Sequence, residues 1–129
     1  MSGNATTLFW IFFSLTLIGL AVTLITGLLA QRRLHLVLGP TCVVLLVVTI
    51  VMAERMTANR SFPPHEMAIH LWFAKTAAAL MLPVIVTGLV LWRTARWRRL
   101  HFWCVVAFLV MAVTASGTGV WVFSLSTPK

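Results

Sequence analysis

Acidic side chains are almost absent from this sequence. Glu54 and Glu66 are the only carboxylates in 129 residues, and charged residues of both signs make up 9% of the chain. A typical soluble domain has about 25% charged residues. We find no pair of carboxylates at catalytic spacing, no serine beside a plausible base and no glycine-rich phosphate loop. The sequence therefore gives no support to a hydrolase or a transferase.

Long apolar runs occupy most of the chain instead. They cover residues 8–30, 34–53, 71–92 and 102–125, and each provides the ~20 residues that a helix needs to cross a hydrocarbon core. Spanning β-strands alternate apolar and polar residues over about 10 positions, and no such alternation occurs here. The sequence predicts an all-α membrane protein: one domain, a four-helix transmembrane bundle made of two tandem helical hairpins.

The distribution of arginine predicts the orientation in the bilayer. Two arginines lie between the first two runs, at 32–33, and four lie between the last two runs, at 93–99. Cytoplasmic loops collect such residues. We expect a multi-pass membrane protein with both termini outside, on the non-cytoplasmic side. Because lipid head groups and topology explain the net charge of +8, we do not expect nucleic acid as a partner.

An internal repeat relates the two halves of the chain. The letters TGLL followed by RRLH, ending at His35, are echoed by TGLV followed by RRLH, ending at His101. Two spans separate the copies, so the repeats are parallel and equivalent residues lie at equal depth. His35 and His101 are therefore expected at the cytoplasmic starts of the second and fourth helices, facing a shared space.

Two imidazoles at equal depth are the arrangement that clamps a haem between helices. We predict that His35 and His101 bind the iron of a haem. Gly39, one turn after His35, would give the ring room, and Arg33 and Arg99 would pair with the propionates. Alternatively, both histidines are ordinary interfacial residues, and the repeated letters follow from topology alone.

Two further histidines lie before and at the start of the third run. His65 and His70 are about 140° apart around a regular helix, so one ligand cannot engage both. An outer haem at His70 would need a second ligand. The candidates are His65 from a non-helical helix start, a methionine of the second span, or a residue of a neighbouring protomer in a homo-oligomer. Alternatively, His65, Glu66 and His70, together with Glu54, would bind copper or zinc, although their spacing fits no tight metal motif.

Several spaced features resemble a family of small four-span bacterial membrane proteins that includes maturation factors for haem-copper oxidases. The matching features are His35, Arg60-Ser61-Phe62, His70-Leu71, Pro83, His101, Trp103 and Thr118-Gly119. The resemblance covers about residues 34–123. It implies a part in supplying or maturing haem A-type oxidases, with His35, His70 and His101 at the family's histidine positions. The chain lacks the further histidine expected at residues 49–54. Its architecture is also similar to b561-type membrane cytochromes. These resemblances imply a protein of the bacterial cytoplasmic (inner) membrane that binds haem b or an A-type haem, as a b-type cytochrome does.

The sequence thus favours a haem-binding membrane protein that acts in respiratory electron transfer or in haem-copper oxidase assembly. Besides the lipid bilayer, a respiratory oxidase or a quinone is the expected partner. The alternative is a non-haem accessory or assembly subunit of a larger membrane complex. Its helices would pack through small side chains such as Gly19, Thr23, Thr26 and Gly27.

Overall fold

The computed structural model describes residues 2–129, and nearly all of them are helical. Helix α1 spans Ser2–Leu28, α2 spans Arg32–Thr57, α3 spans Pro64–Leu91 and α4 spans Arg98–Ser124; a single 3-10 turn, Ala95–Trp97, precedes α4. All four α-helices are long and apolar enough to cross a membrane. The predicted all-α fold with four membrane-length helices is confirmed.

The helices pair in sequence order. α1 packs against α2, and α3 packs against α4. Residues up to Asn59 form one compact unit, and residues from Arg60 onward form a second. We call these units hairpin 1 and hairpin 2. The two tandem hairpins predicted from the repeat are therefore present, as a four-helix transmembrane bundle requires.

Most helices extend beyond the apolar runs that predict them. α2 continues through Glu54 and Arg55 to Thr57, and α3 begins at Pro64 rather than near residue 71. Proline suits the first helical turn because no backbone N–H is needed there. Glu66, in the same turn, is favoured by the positive end of the helix dipole. The apolar runs mark the part of each helix that lies in lipid, whereas helical backbone hydrogen bonding continues beyond the ends of those runs.

The surfaces of the helices are predominantly apolar. Large hydrophobic side chains, among them all six tryptophans, are exposed along every helix, and few side chains are fully buried. In water such a surface would drive aggregation. Hydrocarbon is the medium that suits it, and a lipid bilayer is therefore the partner of these helices.

The buried positions follow the same register in both hairpins. The buried side chains are Thr16, Thr26, Cys42 and Thr49 in hairpin 1, and Ala77, Thr87, Phe108 and Val122 in hairpin 2. Thr16 precedes Thr26 by as many residues as Ala77 precedes Thr87. Cys42 follows His35 by as many residues as Phe108 follows His101. The repeat seen in a few letters is therefore a repeat of helix packing.

Hairpin 1 is held together by short polar contacts. The hydroxyls of Thr16 and Thr49 are 2.8 Å apart, and the Thr23 hydroxyl lies 3.1 Å from the Cys42 sulfur. A Cβ on Gly19 would come within 3.0 Å of the same sulfur, so the helices approach closely there. Helices in lipid associate through such small residues and through hydrogen bonds worth about 0.6 kcal/mol each.

A short β-pairing joins the two ends of hairpin 2. β1, Arg60–Ser61, lies antiparallel to β2, Thr127–Pro128. Arg60 Nη1 donates to Ser126 Oγ at 2.6 Å, and the guanidinium lies 4.4 Å from the centre of the Phe123 ring, a favourable cation–π distance. The sequence gives no sign of these strands, because two residues are too few to show an alternating pattern.

The turn between α1 and α2 places an alanine in the left-handed region. Ala30 has φ of 55°, the only positive φ of a non-glycine residue within 2–129. Its N–H donates to the Gly27 carbonyl at 3.2 Å, and the Gln31 N–H donates to the Thr26 carbonyl at 2.9 Å. This is the Schellman pattern, in which glycine usually occupies the Ala30 position.

We expect Ala30→Gly to raise the free energy of unfolding by about 1 kcal/mol, because it removes the left-handed strain on an L-residue. Denaturation in mixed micelles measures this change. Ala58→Gly is the matched control, since Ala58 ends α2 in the right-handed conformation at φ −54°, where glycine brings no relief. Equal effects of the two substitutions would contradict the strain at Ala30.

Candidate functional site

Three of the four histidines pack directly against a glycine of the neighbouring helix in the same hairpin. The pairs are His35 of α2 with Gly27 of α1, His101 of α4 with Gly88 of α3, and His70 of α3 with Gly119 of α4. A Cβ on these glycines would lie 3.1, 3.4 and 3.0 Å, respectively, from the nearest ring atom. We call them the three His–Gly contacts. The bare glycine backbone leaves the space that each ring fills.

A threonine engages the Nδ1 atom of each of these rings. The three bonds join His35 to the Thr23 carbonyl oxygen at 2.9 Å, His101 to Thr87 Oγ1 at 2.8 Å, and His70 to Thr118 Oγ1 at 3.3 Å. In hairpin 2 the bonding threonine immediately precedes the contact glycine. One Thr-Gly pair on a helix therefore both accommodates the ring and hydrogen-bonds to it.

The contacts lie near helix ends. His35 and His101 occupy the first turns of α2 and α4, beside the arginine-rich turns. In hairpin 2, the His70 contact lies at the opposite end from the His101 contact. Positions 70 and 88 on α3 are separated by about 27 Å at the rise of an α-helix. Hairpin 2 thus carries one held imidazole toward each end.

His65 has a different environment from His70. It is exposed, and it shares one face of α3 with Ala68, Ile69, Trp72 and Phe73, around a shallow surface depression. Because α3 begins at Pro64, the alternative that His65 serves an outer haem from a non-helical start is wrong. The expectation that the two rings point in different directions agrees with the structure.

The predicted outer copper or zinc cluster is not assembled. Within residues 2–129, no three side chains of His, Cys, Asp or Glu lie together in a way that could hold a metal ion. His70 instead bonds to Thr118, and His65 lies on another face of the helix. Cys42 and Cys104 are free thiols.

The remaining predicted site residues lie close to the inner histidines along the chain. Arg33 and Arg99 are exposed in the first turns of α2 and α4, each two residues before the histidine. Gly39 is open, with no atom within 4 Å of where its Cβ would be. The glycine that adjoins the His35 ring is Gly27 of the partner helix, not Gly39. The role of Gly39 beside a haem stays a prediction.

His35 belongs to hairpin 1 and His101 to hairpin 2, so their sharing of one iron also stays a prediction. Sequence reasoning identified the histidines but missed what holds them. The signal was present, because the chain contains three Thr-Gly pairs, at 26–27, 87–88 and 118–119, and the structure places one span-end histidine against each glycine. Only the contact between His35 Nδ1 and the Thr23 carbonyl had no signature in the sequence.

Comparisons with protein-family models, with curated proteins and with solved structures found no match.

Alanine substitutions at the contact glycines test this geometry. We expect Gly27→Ala and Gly119→Ala to lower the free energy of unfolding by about 1–3 kcal/mol, because the new methyl overpacks against the imidazole. Gly88→Ala, with its 3.4 Å approach, should cost less. Alanine favours all three helices by a similar amount, so the difference isolates the ring contact. Unfolding in mixed micelles measures it, and three equal effects would contradict the contacts.

Proposed function

We propose that this chain binds haem in the membrane through its span-end histidines and acts in respiratory electron transfer or in haem-copper oxidase assembly. The observation that supports this most directly is the hydrogen bonding at Nδ1 of the three imidazoles in the His–Gly contacts. In each of them a threonine oxygen lies within 3.3 Å of Nδ1, and an imidazole with its proton on Nδ1 has its lone pair for a metal on Nε2. Metal-binding histidines almost always have their second nitrogen hydrogen-bonded in this way, which fixes the ring and raises its basicity.

We assign the inner haem to His35 and His101 because of the repeat. His35 and His101 occupy equivalent positions of the repeat, with equivalent glycine contacts, and parallel repeats put equivalent residues at equal depth. Two neutral imidazoles are a common axial ligand set for haem b and A-type haem. Arg33 and Arg99, two residues before the ligands, provide guanidinium groups suited to propionates.

Haem supplies one-electron chemistry, and the protein's part is to choose its ligands and surroundings. If His35 and His101 both held the iron, the haem would supply electron transfer rather than oxygen chemistry. His70 lies toward the other end of hairpin 2. It is the candidate contact for a second binding partner, which would be a quinone, a respiratory oxidase or another copy of the chain. The oxidase-assembly branch of the proposal draws on the family resemblance of residues 34–123.

The orientation is part of the same proposal. The arginine-rich turns at 32–33 and 93–99 lie at the ends of the helices that carry His35 and His101. With these turns in the cytoplasm of a bacterium, the inner haem faces the cytoplasmic leaflet. The connection that contains Arg60 and both termini then face outward.

The alternative is a non-haem accessory subunit of a larger membrane complex. It is favoured by the fact that the His–Gly contacts also join helices, since polar side chains over small residues are a general device for helix association in lipid. In that case the histidines contribute stability only, and the purified protein is colourless even when haem is abundant.

The absorption spectrum of protein purified from haem-supplemented cells separates the two functions. We expect a Soret band and sharp α and β bands after reduction. His35→Ala and His101→Ala should each lose the inner haem, because one axial ligand is gone. His65→Ala is the matched control and should keep the full haem content, since His65 is exposed on another helix face. A colourless unaltered protein, or loss only in His65→Ala, would overturn the proposal.

A further inference from the structure

A neutral imidazole carries one N–H and one lone pair, so the partner of one nitrogen decides what the other can do. For His35 the partner of Nδ1 is the Thr23 carbonyl oxygen at 2.9 Å. A carbonyl oxygen only accepts hydrogen bonds. Nδ1 of His35 must therefore carry the proton, and Nε2 carries the lone pair.

The same conclusion holds for His101 by one more step. A threonine hydroxyl has a single proton, and Thr87 donates its proton to the carbonyl of Pro83 at 2.6 Å. Thr87 Oγ1 therefore presents a lone pair to His101 Nδ1, which lies 2.8 Å away. The bonds run in one direction, from His101 to Thr87 to the α3 backbone.

His70 has a comparable threonine contact at the other end of hairpin 2, together with a second acceptor. The Thr118 hydroxyl faces the carbonyls of Thr114 at 2.8 Å and Ala115 at 3.1 Å, and its oxygen lies 3.3 Å from His70 Nδ1. The Ala115 carbonyl also accepts a hydrogen bond from the His70 ring, so Thr118 does not act on this ring alone. The longer distance makes the bond between His70 and Thr118 weaker than that between His101 and Thr87. In both cases the threonine precedes the contact glycine, and in both its proton is committed to a carbonyl one turn earlier on its own helix.

We propose that Thr87 is a positioning residue that sets the tautomer of His101, with the proton on Nδ1 and the lone pair on Nε2. The tautomer is a property of the chain alone. Its consequence for iron rests on the proposed haem-binding function. In hairpin 1 a backbone carbonyl does the same for His35, so no side-chain substitution removes that acceptor.

At an iron the consequence is electronic. An imidazole whose Nδ1–H is hydrogen-bonded is a stronger donor, which favours the ferric state and lowers the reduction potential. Loss of the Thr87 hydroxyl should therefore raise the potential of a haem bound through His101, while the haem content stays the same.

The test that does not need haem is nitrogen NMR of the full-length, haem-free protein labelled with 15N-histidine, in detergent at alkaline pH. Rings are assigned with single histidine variants. We expect His35 and His101 as Nδ1–H tautomers, and exposed His65 mainly as the Nε2–H form that solvated histidine prefers. Thr87→Val should move His101 toward the Nε2–H form, and Thr87→Ser should restore the Nδ1–H form.

Thr26→Val is the matched control. Thr26 is buried like Thr87 and occupies the same position of the repeat, but its hydroxyl donates to the Thr23 carbonyl at 3.0 Å, which remains available to His35. In the Thr26→Val variant the His35 ring should therefore stay in the Nδ1–H form. An Nε2–H signal for His101 in the unaltered protein, or no response to Thr87→Val, would overturn the inference.

The two proposals fail separately. A chain with the expected tautomers that takes up no haem upholds the positioning role and refutes haem binding. In haem-loaded protein, redox titration should show a more positive potential for Thr87→Val than for Thr26→Val at equal haem content. Equal potentials in a chain with the expected tautomers would refute the electronic consequence at iron.

Discussion

The arrangement of this protein depends on an imidazole placed against a bare glycine and hydrogen-bonded to a threonine of the neighbouring helix. In hydrocarbon, an unbonded polar group is costly, and water is not available to satisfy it. The glycine lets the helices approach, and the threonine satisfies Nδ1. One contact therefore holds a hairpin together and fixes how a histidine is oriented. Structure and proposed function rest on the same atoms.

The two hairpins use this contact unequally. Hairpin 1 has one His–Gly contact, and its remaining interface is bonded through Thr16 with Thr49 and through Thr23 with Cys42. Hairpin 2 has apolar Ala77 and Phe108 at the positions equivalent to Thr16 and Cys42, and it gains a second contact at His70. The same packing register therefore accommodates two different sets of hydrogen-bonded contacts between the paired helices. Hairpin 1 carries one held imidazole, beside its arginine-rich turn, and hairpin 2 carries imidazoles toward both of its ends.

Much of the fold follows from the sequence, because a bilayer requires long apolar helices and apolar runs are easy to read. The repeat also identified His35 and His101 as equivalent, and their glycine contacts are equivalent in the structure. Gly39 was the natural choice beside His35, since it lies one turn away on the same helix. The adjoining residue is Gly27, because helix pairing brings it closer than chain proximity does. Tertiary contacts of this kind have no local pattern, and neither do the two-residue strands fixed by Arg60.

The central claim is that hairpin packing presents imidazole nitrogens to a haem iron. Electron paramagnetic resonance of the oxidised, haem-loaded protein tests it most directly, because the spin state reports the axial ligands. The account predicts a low-spin ferric signal typical of two imidazoles, which disappears or becomes high-spin in His101→Ala. A high-spin signal in the unaltered protein, or a low-spin signal that survives loss of both His35 and His101, would contradict it.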